Sequence, residues 1–189
     1  MMTTTTAPGL LLKRALDAAA VWHRDQHRKY PSALVPYVSH IAGVAAILSR
    51  HGFDEEVVAA GALHDSMEDC GVSFDELASK FTNRVAVLVR DCSELDKTLP
   101  WEERKRLYVE HFVHKSWDAQ AISLADKVDN FWSILLCKSD HGDPWSMFKR
   151  GRESQIARFV ALEGKLPQLA SHPLIDEYSD VLARLMRET

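Results

Sequence analysis

Apolar residues recur at helical spacing along nearly the whole chain, and the period-two alternation with hairpin signals that a half-buried sheet needs is absent. The run LLKRALDAAAVWHRDQH places Leu12, Leu16, Ala19 and Ala20 at that spacing. YVSHIAGVAAILSRHG does the same with Ile41, Val44, Ala45 and Leu48, before Gly52 as a helix stop. Between them Pro31 and Pro36 mark a loop, because proline disfavours helix in the residue before it. Asp54 is placed to cap a helix EEVVAAGALHDSMED that runs to near Gly71. Ser73 and Glu76 have the spacing of a capping box for FDELASKF. NRVAVLVRDCSEL, WEERKRLYVEHFVHK after Pro100, and DAQAISLADKVDNFWSILLCK continue the pattern. Two further helices are expected near 145–164 and 174–187, after the loop SDHGDP. The expected fold is all-α: a flexible N-terminal arm over residues 1–9, then one helical bundle over residues 10–189.

A chain of 189 residues is long enough to bury a core without disulfide or metal staples. The three cysteines, Cys70, Cys92 and Cys137, form no C-x-x-C pair, so neither a disulfide framework nor a zinc knuckle is indicated. A reducing, cytoplasmic setting is expected. The net charge of −4 argues against general nucleic-acid affinity, which needs a basic surface. No apolar run approaches the roughly 20 residues that span a bilayer, so no membrane partner is expected. The start MMTTTTAPG has no basic and then apolar signal pattern. A homodimer is compatible with such a bundle, but no surface identifies itself.

Three polar interruptions of apolar helices carry the chemistry. In GALHDSMEDCG an apolar helix abruptly presents His64, Asp65, Ser66, Glu68 and Asp69. Carboxylates are unfavourable at the negative end of a helix, and a bound cation would reverse that penalty. The bland alternative is a carboxylate-rich last turn in solvent. In LADKVDN, Asp126 and Asn130 are four apart and share a face; a buried Asp satisfied by a neighbouring helix explains them equally well. In YVSHIAGV, His40 stands on an otherwise apolar helix, where a hydrogen-bonded core histidine is the commoner case. His51, His111, His114, His141 and His172 lie beside charged or turn residues and read as surface groups. Taken together the three motifs give the order H…HD…D from separate helices. Two imidazoles and two carboxylates form a mixed N/O set suited to Mn²⁺, Fe²⁺ or Zn²⁺. Such an ion can acidify a water and polarise a phosphoryl group.

This arrangement resembles that of the HD phosphohydrolase superfamily. HDSMED is similar to the HDxxED signature of RelA/SpoT-type alarmone hydrolases, above all the small single-domain ones that include the metazoan SpoT homologues. HRDQHRKYP before PYVSH, DELASKF, DKTLPWEERKRLYVEH and LADKVDN agree with that family in order, over about residues 12–136. The resemblance implies that His40, His64, Asp65 and Asp126 hold one Mn²⁺. Glu68 and Asp69 would position and deprotonate the attacking water. It places Arg28 and Lys29 near the nucleotide and Asn130 on its sugar or base, with Lys97, Arg104 and Lys149 as further substrate contacts. The implied reaction removes pyrophosphate from the 3′ position of ppGpp or pppGpp, giving GDP or GTP. Departures from the family are Ile41 after the first histidine, Cys70 after the acidic pair, a longer Pro31–Pro36 loop and no tyrosine near residues 145–158. Other readings stay open: an HD-type hydrolase of ppApp, NADPH or a nucleoside 5′-monophosphate, or a non-catalytic nucleotide-binding module.

Overall fold

The helical periodicity appears as ten α-helices in a computed structural model that describes residues 9–94 and 98–189. They are α1 (Leu10–Trp22), α2 (Val38–Arg50), α3 (Glu55–Leu63), α4 (Ser66–Cys70), α5 (Phe74–Lys80) and α6 (Asn83–Cys92). α7 (Trp101–Phe112), α8 (Trp117–Asp140), α9 (Gly151–Glu163) and α10 (Pro173–Glu188) follow. No strand occurs among the described residues; the loop after α1 makes only the isolated bridges His27–Pro36 and Tyr30–Ala33. The expected arm falls on residues 1–8, outside the described residues, and on Gly9, which precedes α1.

Helix starts follow side-chain chemistry. Asp54 accepts from the Glu56 and Val57 amides at 3.0 and 3.1 Å to open α3, and Ser73 accepts from Glu76 N at 3.1 Å to open α5. Thr82 and Ser116 do the same for α6 and α8. α1 has no capping side chain of its own. Glu55, in the first turn of α3, supplies the acceptor instead, at 2.9 Å from Leu11 N and 3.2 Å from Leu12 N.

Two expectations change. The helix drawn through EEVVAAGALHDSMED breaks at His64–Asp65. Ser66 Oγ donates to Leu63 O at 2.6 Å and His64 Nδ1 donates to Gly61 O at 2.8 Å. Side chains thus take carbonyls that an unbroken helix would offer to backbone amides. The stretch 145–164 is likewise divided into a 3₁₀ turn, Pro144–Met147, and α9, whose first residue, Gly151, has φ 66°. Proline is tolerated at the start of the turn, whereas the left-handed glycine interrupts a continuous helix.

The core lies around α8, whose Ala121, Ile122, Leu124, Ala125, Val128 and Phe131 are buried. α2, α3 and α6 pack on one side of it and α10 on another. Phe131 meets Phe159 of α9 and Tyr178 of α10 edge-on, with centroids 4.7 and 5.2 Å apart. The Tyr178 hydroxyl donates to Phe159 O at 2.9 Å. His51 and His172 depart from the surface reading: His172 sits among Phe53, Trp117 and His51, and His51 reaches Glu177 at 2.6 Å. No helix among the described residues is long and apolar enough to cross a membrane.

Candidate metal centre and nucleotide cavity

Three helical segments bring the polar motifs to one point. α2 contributes His40, the α3–α4 break contributes His64 and Asp65, and the middle of α8 contributes Asp126. His40 and His64 are 1% and 5% exposed. One ligand atom from each of His40, His64 and Asp65 lies within 4.8 Å of the others. Asp126 Oδ1 joins them, 3.3 Å from His40 Nε2 and 3.8 Å from His64 Nε2. His64 and Asp65 stand at the break, both with right-handed backbone, and their ligand atoms still reach one point.

The donor set fits a divalent cation. His64 gives its Nδ1 proton to Gly61 O, which leaves the Nε2 lone pair facing the cluster. That Nε2 is buried and makes no hydrogen bond; it lies 2.9 Å from Asp65 Oδ2, within ion-pair distance but without hydrogen-bond geometry. A lone pair pointed at a carboxylate needs either a proton or a metal ion between them. The electrostatics agree. Burial would lower the His64 pKa, yet the Asp65 and Asp126 carboxylates outweigh it and push the pKa up to about 9. Burial would likewise raise Asp65, but the neighbouring imidazoles hold it below its ordinary value. Two carboxylates brought together call for positive charge, and a cation supplies it without protonating either ring.

Other side chains hold the ligands in place. The Tyr37 hydroxyl donates to Asp65 Oδ2 at 2.5 Å, and burial raises its own pKa far above the ordinary value. Asn130 Nδ2 donates to Asp126 Oδ1 at 2.5 Å, and Lys127 pairs with Asp126 Oδ2. His40 Nδ1 donates to Asp129 Oδ2 at 2.6 Å.

One cavity opens on the cluster and a second adjoins that cavity. A polar one of about 200 Å³ is lined by His64, Asp65, Glu68, Asp69, Asp126 and Lys127, among others. A neighbouring one of about 270 Å³ is lined by Arg28, Lys29, Tyr37, Asn130, Phe148 and Arg158, among others. Asp69, Asn130, Tyr37 and Arg158 line both. Glu68 accepts from Glu94 N at 3.0 Å, and Asp69 accepts from Gln26 Nε2 at 2.9 Å. Burial raises the Glu68 pKa, the Glu94 amide works against that, and the Glu94 carboxylate adds to the rise.

The structure gathers most of the expected site residues and separates others. Arg28 enters the second cavity with its guanidinium donating to Asn130 Oδ1 and Ser133 Oγ, both at 2.9 Å. Lys29 Nζ stands 5.2 Å from the Phe148 ring centroid. Lys149 is exposed next to that cavity and does not line it. Arg104 lines neither cavity and is paired with Glu94 at 3.4 Å; a carboxylate partner on the adjoining loop holds it back. Lys97 lies outside the described residues.

Sequence reasoning missed Asp129, Tyr37, Glu94 and Arg158. Asp129 and Tyr37 stood inside quoted motifs, LADKVDN and PYVSH, with no role assigned. Arg158 had no local signal, because only the tertiary packing of α9, against α7 and α10, brings it to the point where the cavities meet. Its Nε is buried without a hydrogen bond.

This geometry has counterparts. The sequence profile of the HD domain family matches residues 15–140. Guanosine-3′,5′-bis(diphosphate) 3′-pyrophosphohydrolase MESH1 of Danio rerio is 39% identical over 171 residues, 84% of this chain and 92% of the relative. The Homo sapiens protein of the same name is 42% identical over 128 residues, covering 67% and 70%. A solved structure of a metazoan ortholog of SpoT that hydrolyzes ppGpp superposes with a TM-score of 0.79 at 32% identity, covering 95% of this chain and 98% of that one. The matched span carries α2, the α3–α4 break and all of α8, which are the segments that meet at the cluster. The chain therefore belongs to the HD domain family.

Proposed function

We propose that this chain is a divalent-metal-dependent hydrolase that removes pyrophosphate from the 3′ position of guanosine 3′,5′-bis(diphosphate) or its 5′-triphosphate analogue, leaving GDP or GTP. The carrying observation is the convergence of His40, His64, Asp65 and Asp126 beside a cavity of nucleotide-binding character. Relatives that match over most of this chain bear the name of that activity.

In this reading the four side chains hold one ion, with Mn²⁺ as the proposed metal. A divalent ion in such a site supplies Lewis acidity, polarising the phosphoryl group and lowering the pKa of water. The chain's own groups do the rest. Glu68 and Asp69, one turn beyond the HD pair, take up the proton of the attacking water. The burial that raises the Glu68 pKa makes it a better base than an exposed glutamate and able to return the proton. Water adds to the phosphorus bonded to the ribose 3′ oxygen, the P–O3′ bond breaks, and O3′ receives a proton as pyrophosphate departs. Asn130 lines both cavities, which supports its reading as a hydrogen-bond partner of the sugar or base. Arg28 and Tyr37 form one wall of the base cavity, with the Arg28 guanidinium 5.8 Å from the Tyr37 ring centroid. Lys29 and Lys149 bring positive charge to its rim for the remaining phosphates.

The test is incubation of the purified protein with Mn²⁺ and a panel of ppGpp, ppApp, NADPH and nucleoside 5′-monophosphates, with products resolved by chromatography. Pyrophosphate release from ppGpp is expected. Glu68→Ala should lower kcat about 100-fold or more, and Asp65→Ala should abolish Mn²⁺-dependent turnover. Release of orthophosphate alone, or preference for a 5′-monophosphate, would reject the substrate assignment while leaving the metal cluster intact.

A further inference from the structure

Asp129 occupies a position that the cluster itself does not explain. It lies on α8 three residues beyond Asp126, and its carboxylate is turned towards α2. Oδ2 is 2.6 Å from His40 Nδ1 and 3.7 Å from the Arg28 guanidinium. The carboxylate is only 15% exposed. Its seat is carved from the facing helix: a Cβ placed on Gly43 would fall 1.9 Å from Asp129 Oδ1 and 2.8 Å from Cγ. Gly43 stands three residues after His40, on the same face of α2. A missing side chain on one helix and a buried carboxylate on the other thus converge on one imidazole nitrogen.

We propose that Asp129 is a positioning residue for His40, seated by Gly43, which directs the His40 Nε2 lone pair at the divalent ion. The inference rests on the reading of His40 as a metal ligand. A neutral imidazole carries one N–H; when Nδ1–H is given to a carboxylate, Nε2 is fixed as the electron-pair donor. Nε2 is the His40 nitrogen that faces Asp126 and Asp65, at 3.3 and 3.7 Å. A charged acceptor also makes the imidazole a stronger donor than a carbonyl does. The two ring ligands therefore differ: His64 leans on the Gly61 carbonyl, His40 on a carboxylate. The same carboxylate faces Arg28, so one residue orients the metal ligand and the wall of the nucleotide cavity.

The experiment is a calorimetric titration of the metal-free full-length protein with Mn²⁺ alone, without nucleotide, for wild type, His40→Ala, Asp129→Ala, Asp129→Asn and Gly43→Ala. Circular dichroism confirms equal helix content. Asp129→Ala should weaken Mn²⁺ binding about 10- to 100-fold. Asp129→Asn, whose amide oxygen still accepts from Nδ1, should recover much of that loss. Gly43→Ala, which displaces the carboxylate from the opposite helix, should weaken binding in the same direction. Unchanged affinity in Asp129→Ala, alongside a loss in His40→Ala, would overturn this inference and leave the metal reading standing. Equal losses in the Ala and Asn variants would overturn the hydrogen-bond role. A wild-type protein that binds no Mn²⁺ would overturn both.

Discussion

Glu68 and Glu94 are two acids linked by a backbone hydrogen bond, Glu94 N to Glu68 Oε2. The Glu94 carboxylate raises the Glu68 pKa, and Glu94 also neutralises Lys105 and Arg104. A general base works only when deprotonated, so activity falls as pH drops through its pKa. Glu94→Gln keeps the backbone donor, removes the raising charge and frees two cations, so the acid limb of kcat/KM should move to lower pH. A limb that stays fixed or moves up would mean that Glu68 does not set it. At this scale the candidate cluster was legible in the sequence, because His40, His64, Asp65 and Asp126 interrupt apolar helices where unpaired polar groups are costly, and the structure brings them together. The residues that hold those side chains were not. Asp129 and Tyr37 act through contacts 89 and 28 residues distant along the chain, and no local pattern encodes such a pairing.

At the scale of elements, α3 delivers His64 and its first turn is fastened twice. Asp54 caps it, and Glu55 reaches out to cap α1. Asp54→Ala should lower stability by about 1 kcal/mol, read as a shifted denaturant midpoint. No change would mean that Glu56 and Val57 amides find water equally well. The helices themselves were readable from periodicity and caps, including Ser73 for α5. The break between α3 and α4 was not. Its cause is side-chain competition for the Gly61 and Leu63 carbonyls, and a serine or histidine in a helical pattern does not announce which carbonyl it will take. The metal cluster lies at that break, where ligand atoms of the adjacent His64 and Asp65 come together.

At the scale of the whole molecule, α8 joins the catalytic half to the C-terminal helices. Its Phe131 touches Phe159 and Tyr178, a few residues from Asp126. Tyr178→Phe removes the hydroxyl that donates to Phe159 O and should cost about 1 kcal/mol of stability. An unchanged melting temperature would show that the α9–α10 contact stands on packing alone. α9 and most of α10 were expected as helices, but the packing of α10 on α8 and of α9 on α7 and α10, which brings Arg158 to the cavities, is tertiary and spacing does not reveal it.

The metal should also tie the helices together. Mn²⁺ at about 100 times its dissociation constant should add about 2.7 kcal/mol and raise Tm by roughly 5–10 °C, an effect reversed by EDTA. The most direct test of the central claim is the rate of pyrophosphate release from ppGpp by metal-stripped protein as Mn²⁺ is added back. Turnover should vanish after exhaustive chelation and recover to saturation near one ion per chain; undiminished release by the stripped protein would rule out a metal-dependent reaction.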